Sequence, residues 1–580
     1  MILLHDSPNS DLTHIQAIAG IEEGFGLFDY VRIDQQDGCS WIGQVVQPNR
    51  NISTVGDRLD PTILHGLRLM QTNANVQSTA SVQVFDILVL GQYENRQMLT
   101  PRLRPLPGAV VQRLVRDDTI TVIGLPRLEQ ETDAGLVTAS NVIGRLLNAE
   151  DVPLCFSERL FNYHVMVAGG TGSGKSNAAA NLVFQAARAR KCILIHDAKP
   201  DYGFIERANT DPNVTSIWQQ LGIYGLHPRV PGSVVRIGFH GRCTPGSVHQ
   251  VVGFRSSDFE PEMLAALFFP GTNEQNQYEA FASAAHTLRE QVLDQANHRA
   301  HYTLDDILNL INERTTNQDT PPRDRIHEAT GAAIQRKANS RRRNLPWLDS
   351  IGREVHNGRS QSRLGGSRLD GPRPTVQQFV LADTIQEGRI IVIDYSQMDE
   401  ESYALILSFF LRVCQEHRRQ RQGTGIVQLV DEAHRVFDNE SRHSDSLARA
   451  FSRVMREGRS VDHSIILSLQ NASQIPSRVM NNLNTQIVMR QNSKSEAEAA
   501  TQTMGRDFAV QSMRLGTGHA LVNVHESRAV VLAHLAPSPY ELMRNDNAGN
   551  NGQAQETPQQ ETLPLQNAPQ LALEEDDIPF

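Results

Sequence analysis

Cysteine is scarce in this 580-residue chain. Its five residues, Cys39, Cys155, Cys192, Cys243 and Cys414, lie far apart and never form a C-x-x-C pair. That excludes a disulfide framework or a thiolate zinc site and suits a reducing cytoplasm. No uninterrupted apolar run approaches the ~18 residues of a membrane span. The start, Met1-Ile2-Leu3-Leu4-His5-Asp6-Ser7-Pro8, meets an acid too soon for a signal peptide. A cytoplasmic protein with no membrane association is the expectation. Excess positive charge is missing too, at a net −10. The deficit is local, because residues 541–580 hold eight acids against Arg544 and leave the other 540 residues at −3. A ring or groove with local basic loops is therefore still open to nucleic acid. At ~150 residues per domain, three or four domains fit.

What is present is organised around Gly169-Gly170-Thr171-Gly172-Ser173-Gly174-Lys175-Ser176, which fits G-x-x-x-x-G-K-[ST]. The apolar run His164-Val165-Met166-Val167-Ala168 before it reads as a buried strand. The Gly- and Pro-free stretch from Asn177 to Arg190 after it reads as a helix. In that context backbone N–H groups turn inward around a polyphosphate at the positive end of the helix. Lys175 reaches the β- and γ-phosphates and the Ser176 hydroxyl ligates Mg²⁺, with Asn177 next along the helix. The cofactors expected are ATP and Mg²⁺.

Residues 1–150 alternate in period two over short runs, such as Phe28 to Ile33, Trp41 to Val46 and Val82 to Leu90, with Gly, Asp and Asn turns between them. That pattern predicts a small barrel. Pro105-Leu106-Pro107-Gly108 and Val110-Val111 then lead toward a linker, and a short helix is expected over Thr138 to Asn148. After the phosphate loop, Cys192-Ile193-Leu194-Ile195-His196-Asp197 is a second buried strand ending in an acid, a doubly wound signature. Helices are expected at Glu260 to Phe269, Gln277 to Asn297 and Leu304 to Glu313, the last opened by a capping box of Thr303 and Asp306. Arg336 to Pro374 is basic, through Arg341-Arg342-Arg343, and reads either as a solvated loop or as a contact to a phosphate backbone. Strands return at Arg389 to Asp394, Gly425 to Glu432, Ser464 to Gln470 and Thr485 to Arg490, the last read as the final core strand. A long helix, Glu401 to Gln420, lies among them. Beyond about 540 the Asn-, Gln- and Pro-rich composition predicts disorder.

The strand before Asp431-Glu432 ends as a second NTPase motif does. Asp431 would hold Mg²⁺, Glu432 would polarise the attacking water, and Gln470 on a neighbouring strand end would orient it. Asp431-Glu432-Ala433-His434 also spells the name of a helicase class with two tandem motor folds. No second motor is visible, and the 256 positions from Lys175 to Asp431 hold inserted helices instead.

Over residues 20–540 the ordered set of landmarks resembles the HerA–FtsK group of ring translocases, and HerA in particular. The set comprises the barrel ending near Pro107-Gly108, the phosphate-loop strand, Asp197 with Lys199 and Asp201-Tyr202, Arg456-Glu457-Gly458-Arg459 followed by Gln470, and Asn481 to Asn484 before Val488 to Arg490. Lys199 to Tyr202 and Ser460 to His463 depart from the family pattern. The resemblance implies an α/β, RecA-like P-loop NTPase core with inserted helices (core 151–204 and 381–540, insertion 205–380). A small N-terminal β-barrel (1–150) would precede it and a disordered acidic tail (541–580) would follow. It implies a homohexamer on double-stranded DNA, with a nuclease or other effector, in end processing, repair or phage defence. A neighbour's arginine would complete each site, with Arg459 and Arg456 as candidates and Arg490 a third. A FtsK-like or conjugation-type pump and a ring scaffold for an effector are the alternatives. The stretch Leu573 to Phe580, with Asp576, Asp577, Ile578, Pro579 and Phe580, resembles the acidic tip of bacterial single-stranded-DNA-binding protein. It implies docking on an enzyme that reads that tip.

Overall fold

The computed structural model describes residues 2–3, 14–20, 24–53, 81–94, 97–114, 116–125, 141–148, 152–221, 234–243, 247–293, 300–355, 375–437, 442–524 and 527–542, without 318, 323, 421–422 and 528. The 357–374 stretch and the acidic tip lie outside these residues. Among the described residues no helix is long and apolar enough to cross a membrane.

Seven N-terminal strands pair antiparallel in the order β2-β1-β7-β3-β4-β5-β6. They are β1 (Ile2–Leu3), β2 (His14–Gly20), β3 (Tyr30–Asp34), β4 (Ser40–Ser53), β5 (Ser81–Glu94), β6 (Gln97–Leu99) and β7 (Val110–Arg113). A further pairing of β2 with β5 closes six of them into a ring, so the expected barrel is present. Alternate residues fill it: Ile15 and Ala17, Val31 and Ile33, Phe85 and Ile87, with Trp41. The Val110-Val111 stretch is barrel strand rather than the approach to a linker, because Val111 packs inside and pairs with Ile33.

The second sheet has thirteen strands in the order β14-β13-β12-β15-β11-β16-β17-β10-β18-β19-β20-β8-β9. In sequence these are β8 (Asn141–Leu146), β9 (Pro153–Phe156), β10 (His164–Ala168), β11 (Cys192–Asp197), β12 (Val234–Phe239), β13 (Gln250–Gly253) and β14 (Gln377–Gln378). There follow β15 (Ile390–Asp394), β16 (Ile426–Val430), β17 (His463–Leu469), β18 (Leu483–Met489), β19 (His519–Asn523) and β20 (Val531–Leu535). From β14 to β18 every pairing is parallel, and from β18 to β9 every pairing is antiparallel. Helix α1 (Lys175–Arg188) covers one face. Helices α2 (Pro261–Phe268), α3 (Gln275–Leu293), α4 (Leu304–Thr316), α5 (Glu328–Arg342), α6 (Glu400–Arg419) and α7 (Arg442–Val461) build the other. Adjacent strand residues therefore enter different cores: Val165 and Val167 pack on the α1 side, Met166 and Ala168 on the other. Such two-sided burial explains the unbroken apolar runs of the parallel strands.

Three further expectations change. Within Thr138 to Asn148, the described residues Asn141–Leu146 form a strand, paired with β20 and β9, because edge pairing outweighs the local helical tendency. Thr485 to Arg490 is not the final strand, since β19 and β20 extend the sheet. Two of the three arginines at 341–343 are tied into the fold: Arg341 donates to the Leu267 carbonyl and Arg342 grips Asp305. The capping box is present, with Thr303 and Asp306 bonding reciprocally.

A chain of polar side chains crosses beneath the parallel sheet. Tyr395 OH donates to His196 Nδ1 (3.2 Å) and His196 Nε2 to Gln428 Oε1 (2.8 Å). Gln428 Nε2 donates to His463 Nε2 (2.8 Å), His463 Nδ1 to Gln415 Oε1 (2.9 Å) and Gln415 Nε2 to Glu457 Oε2 (3.0 Å). With the amides so oriented, one choice of neutral tautomers satisfies every link. Burial pushes His196 down to about 4 and His463 to about 3, which keeps both rings neutral.

Candidate nucleotide site

The phosphate loop leaves the carboxyl end of β10 and runs into α1. It turns on Gly172 and Gly174, whose φ of +75° and +102° only glycine adopts freely. Neighbouring strands hold it from both sides: Gly169 N donates to Leu469 O at 3.0 Å and Gly170 N to Arg490 O at 2.8 Å. A third brace, Gly518 N to Ser173 O at 3.0 Å, comes from the turn before β19. Asn177 accepts from Ser538 N at 3.1 Å and so anchors the segment after β20 on the start of α1.

Strand β17 separates β10 from β16, so the lysine and the paired acids approach from strands that are not adjacent. Their side chains still meet. Glu432 Oε1 receives Lys175 Nζ at 3.3 Å, Lys199 Nζ at 2.9 Å and Gln470 Nε2 at 2.7 Å. Its other oxygen is buried without a hydrogen bond, 3.4 Å from His434 Nε2. Glu432 adopts a left-handed backbone, φ +48°, a strained choice for a non-glycine residue and one often met at functional sites. Burial alone would raise its carboxyl, yet Lys175 and Lys199 hold it below the usual range. Burial lowers the Lys175 ammonium against the support of Glu432 and Asp431.

Asp431 is fully buried, and burial followed by the Glu432 charge pushes it up to about 6. Both its carboxylate oxygens lack a hydrogen-bond partner, as do Asp197 Oδ1 and Ser173 Oγ. Desolvation and then Asp431 raise Asp197 well above the carboxylate range, while its Oδ2 accepts from Tyr202 N at 3.2 Å. Ser176 donates to Asp201 Oδ2 at 2.9 Å, which leaves the lone pairs of its oxygen available. Orphaned hard oxygens beside a phosphate loop fit Mg²⁺, since buried carboxylates without partners are costly unless a cation satisfies them.

The sequence-chosen residues of the loop, with Asp197, Asp431, Glu432 and Gln470, thus gather at the carboxyl ends of β10, β11, β16 and β17. Arg456 and Arg459 do not join them. Both are exposed on the last turns of α7, which leads into the first residue of β17, at the opposite end of the strands. Arg459 stacks on Tyr163, 4.8 Å from the ring centre. Arg490 lies beside the loop through its backbone carbonyl. Lys199 and Asp201, named from the sequence only as landmarks following the second strand, and His434 are site members to which the sequence assigned no role.

Fold and site together define the class: a P-loop ATPase on a parallel α/β sheet, built to take ATP with Mg²⁺. A family model, the central domain of helicase HerA, matches residues 141–414, from β8 into α6, and ends before Asp431. Among curated relatives, a DNA double-strand break repair helicase HerA from Sulfurisphaera tokodaii is 23% identical over 164 residues, 26% of this chain and 32% of that protein. A probable helicase, MJ1565, from Methanocaldococcus jannaschii is 24% identical over 201 residues, 34% and 36% of the two chains. The chain thus spans about a third of the length of these relatives. Among solved structures, VirB4 of Thermoanaerobacter pseudethanolicus aligns at 12% identity and TM-score 0.43, covering 68% of this chain and 95% of that one. The plasmid coupling protein TrwB aligns at 10% and 0.42, covering 66% and 87%.

Proposed function

We propose that this chain is one subunit of a HerA-like homohexameric motor that hydrolyses ATP to move along double-stranded DNA, in company with a nuclease or other effector. The observation that carries the reading is the meeting of Lys175, which lies in the segment 141–414 similar to the HerA central domain, with Gln470 and Glu432 from beyond it, beside buried, unpartnered Asp431. Glu432 takes a proton from water as the water oxygen bonds to the γ-phosphorus. The bond from that phosphorus to the β–γ bridging oxygen breaks, and ADP leaves with the electron pair. Lys175 and the loop N–H groups bind the β- and γ-phosphates, and Gln470 orients the water. Ser176 and Asp431 would hold Mg²⁺, which would supply charge neutralisation on the phosphate oxygens.

Charge growing on the γ-phosphate calls for a further cation, and arginines so placed are worth ~10³–10⁵ in rate. Arg459 and Arg456, exposed and remote from their own site, suit a neighbour's site. Mixing subunits tests this. Glu432→Gln and Arg459→Ala proteins are each expected to be inactive alone, and together to regain part of the turnover at interfaces that pair an intact Glu432 with an intact Arg459. Full turnover by Arg459→Ala alone, or no recovery in co-assembled rings, overturns the arrangement. DNA-stimulated hydrolysis with displacement of a bound roadblock separates a motor from a scaffold. The acidic segment 573–580 is proposed to dock on an apolar pocket with a basic rim. A peptide of that segment should bind more weakly with Phe580→Ala, and equal binding refutes it.

A further inference from the structure

The chain contains only five lysines (175, 191, 199, 337 and 494) beside fifty arginines, and two of those five end on one atom, Glu432 Oε1. Arginine is this protein's default cation, so a second lysine at that oxygen marks a place where a compact ammonium, rather than a planar fork, is used. Lys199 follows β11 on the turn that also carries Asp201 and Tyr202. Its side chain is 41% exposed while Glu432 is almost fully buried. Lys175 and Lys199 differ in what else they can reach. Lys175 opens α1 at the phosphate loop and is the residue that grips the triphosphate in the function proposed above. Once it does, Glu432 Oε1 keeps Lys199 and Gln470 as its donors. The other oxygen, Oε2, is buried without a hydrogen bond, 3.4 Å from His434 Nε2, which makes it the one available to accept from water.

We infer that Lys199 is a positioning residue for the hydrolytic step. With Gln470 it pins Oε1, fixes the side chain of a residue whose backbone is already held left-handed, and so aims Oε2 at the attacking water. This rests on the reading of Glu432 as the base.

The test uses full-length protein and measures kcat and KM for ATP alongside the Kd of a fluorescent ATP analogue. Lys199→Met is expected to lower kcat ~10- to 100-fold, less than the ~10²–10⁴-fold that a general base itself contributes because the base is misaimed rather than removed, with KM and Kd within about twofold. Lys199→Arg is expected to recover part of that loss, because the positive charge returns with poorer geometry. A rise in Kd with little change in kcat would make Lys199 a phosphate ligand instead. Faster turnover would make it a latch on Glu432, and unchanged kcat a surface ion pair. Each of these outcomes overturns the proposal. Glu432→Gln, run in parallel, separates the two failures. If it hydrolyses ATP at the normal rate, the reading of Glu432 has failed. If it is inactive and Lys199→Met is normal, only Lys199 has been misassigned.

Discussion

The barrel and the parallel sheet are both β-structures with apolar cores, yet they treat buried polar atoms in opposite ways. Among the described residues, every buried side-chain nitrogen or oxygen left without a hydrogen bond, save one, belongs to the larger sheet and the segments packed on it. The exception, Gln44 Oε1, sits at the seam, where Gln44 Nε2 donates to Val530 O at 2.8 Å and Phe28 stacks on Phe508. Orphaned polar atoms cost free energy, so their concentration around Asp431, Asp197 and Ser173 marks where stability yields to chemistry. Among its described residues the barrel carries only Gln44 Oε1 of this kind, at the seam, and it reads as structural.

That contrast can be broken in three ways. The largest effect is expected from Lys175→Ala: loss of turnover by at least ~10³-fold, the scale of removing a preorganised charge on the transferred group, with the melting temperature little changed. A site mutant that unfolds the protein would erase the distinction. Next comes the barrel. Trp41→Ala empties its centre and should cost about 3–5 kcal/mol in denaturant unfolding, while kcat per folded molecule stays within about twofold. A proportionate fall in kcat would show that the barrel belongs to the site.

The smallest effect sharpens the contrast through pH. His164, His196 and His463 are buried neutral in the larger sheet, pushed down to about 4, 4 and 3 by burial. Unfolded, they titrate near 6.5, so below that pH the unfolded state binds the extra protons. Stability is therefore full above ~6.5 and falls as pH drops toward 4, by on the order of a few kcal/mol in sum. The barrel holds no such trio among its described residues. Melting curves from pH 7.5 to 4.5 should show the loss, and a His196→Gln, His463→Gln double variant should flatten it.

Much of the site was legible because its signals are local. An apolar run ending in Gly169 to Ser176 and another ending in Asp431-Glu432 state their chemistry within ten residues. Thr303 and Asp306 likewise wrote their cap into four positions. What escaped depends on distant partners. Asn141-Val142-Ile143-Gly144-Arg145-Leu146 looks helical until β20 offers it an edge. Nothing around Lys199 announces that it will meet a glutamate 233 positions away. The basic character of Arg341 and Arg342 was visible, but Asp305 and the Leu267 carbonyl, which absorb it, were not.

One consequence follows from the placement of β17. Strands stand ~4.8 Å apart, so interposing one sets β10 and β16 at ~10 Å, a spacing fixed by backbone pairing and indifferent to loop length. In that ladder Ala168 lies beside Leu469 and Val430 beside Leu467, so β17 outruns β16 and delivers Gln470 past the acids. The strand works as a ruler with a hard stop. Loops around this centre can lengthen over evolution without harm, but slipping β17 by a single residue would turn Gln470 to the far face and leave Glu432 without its amide.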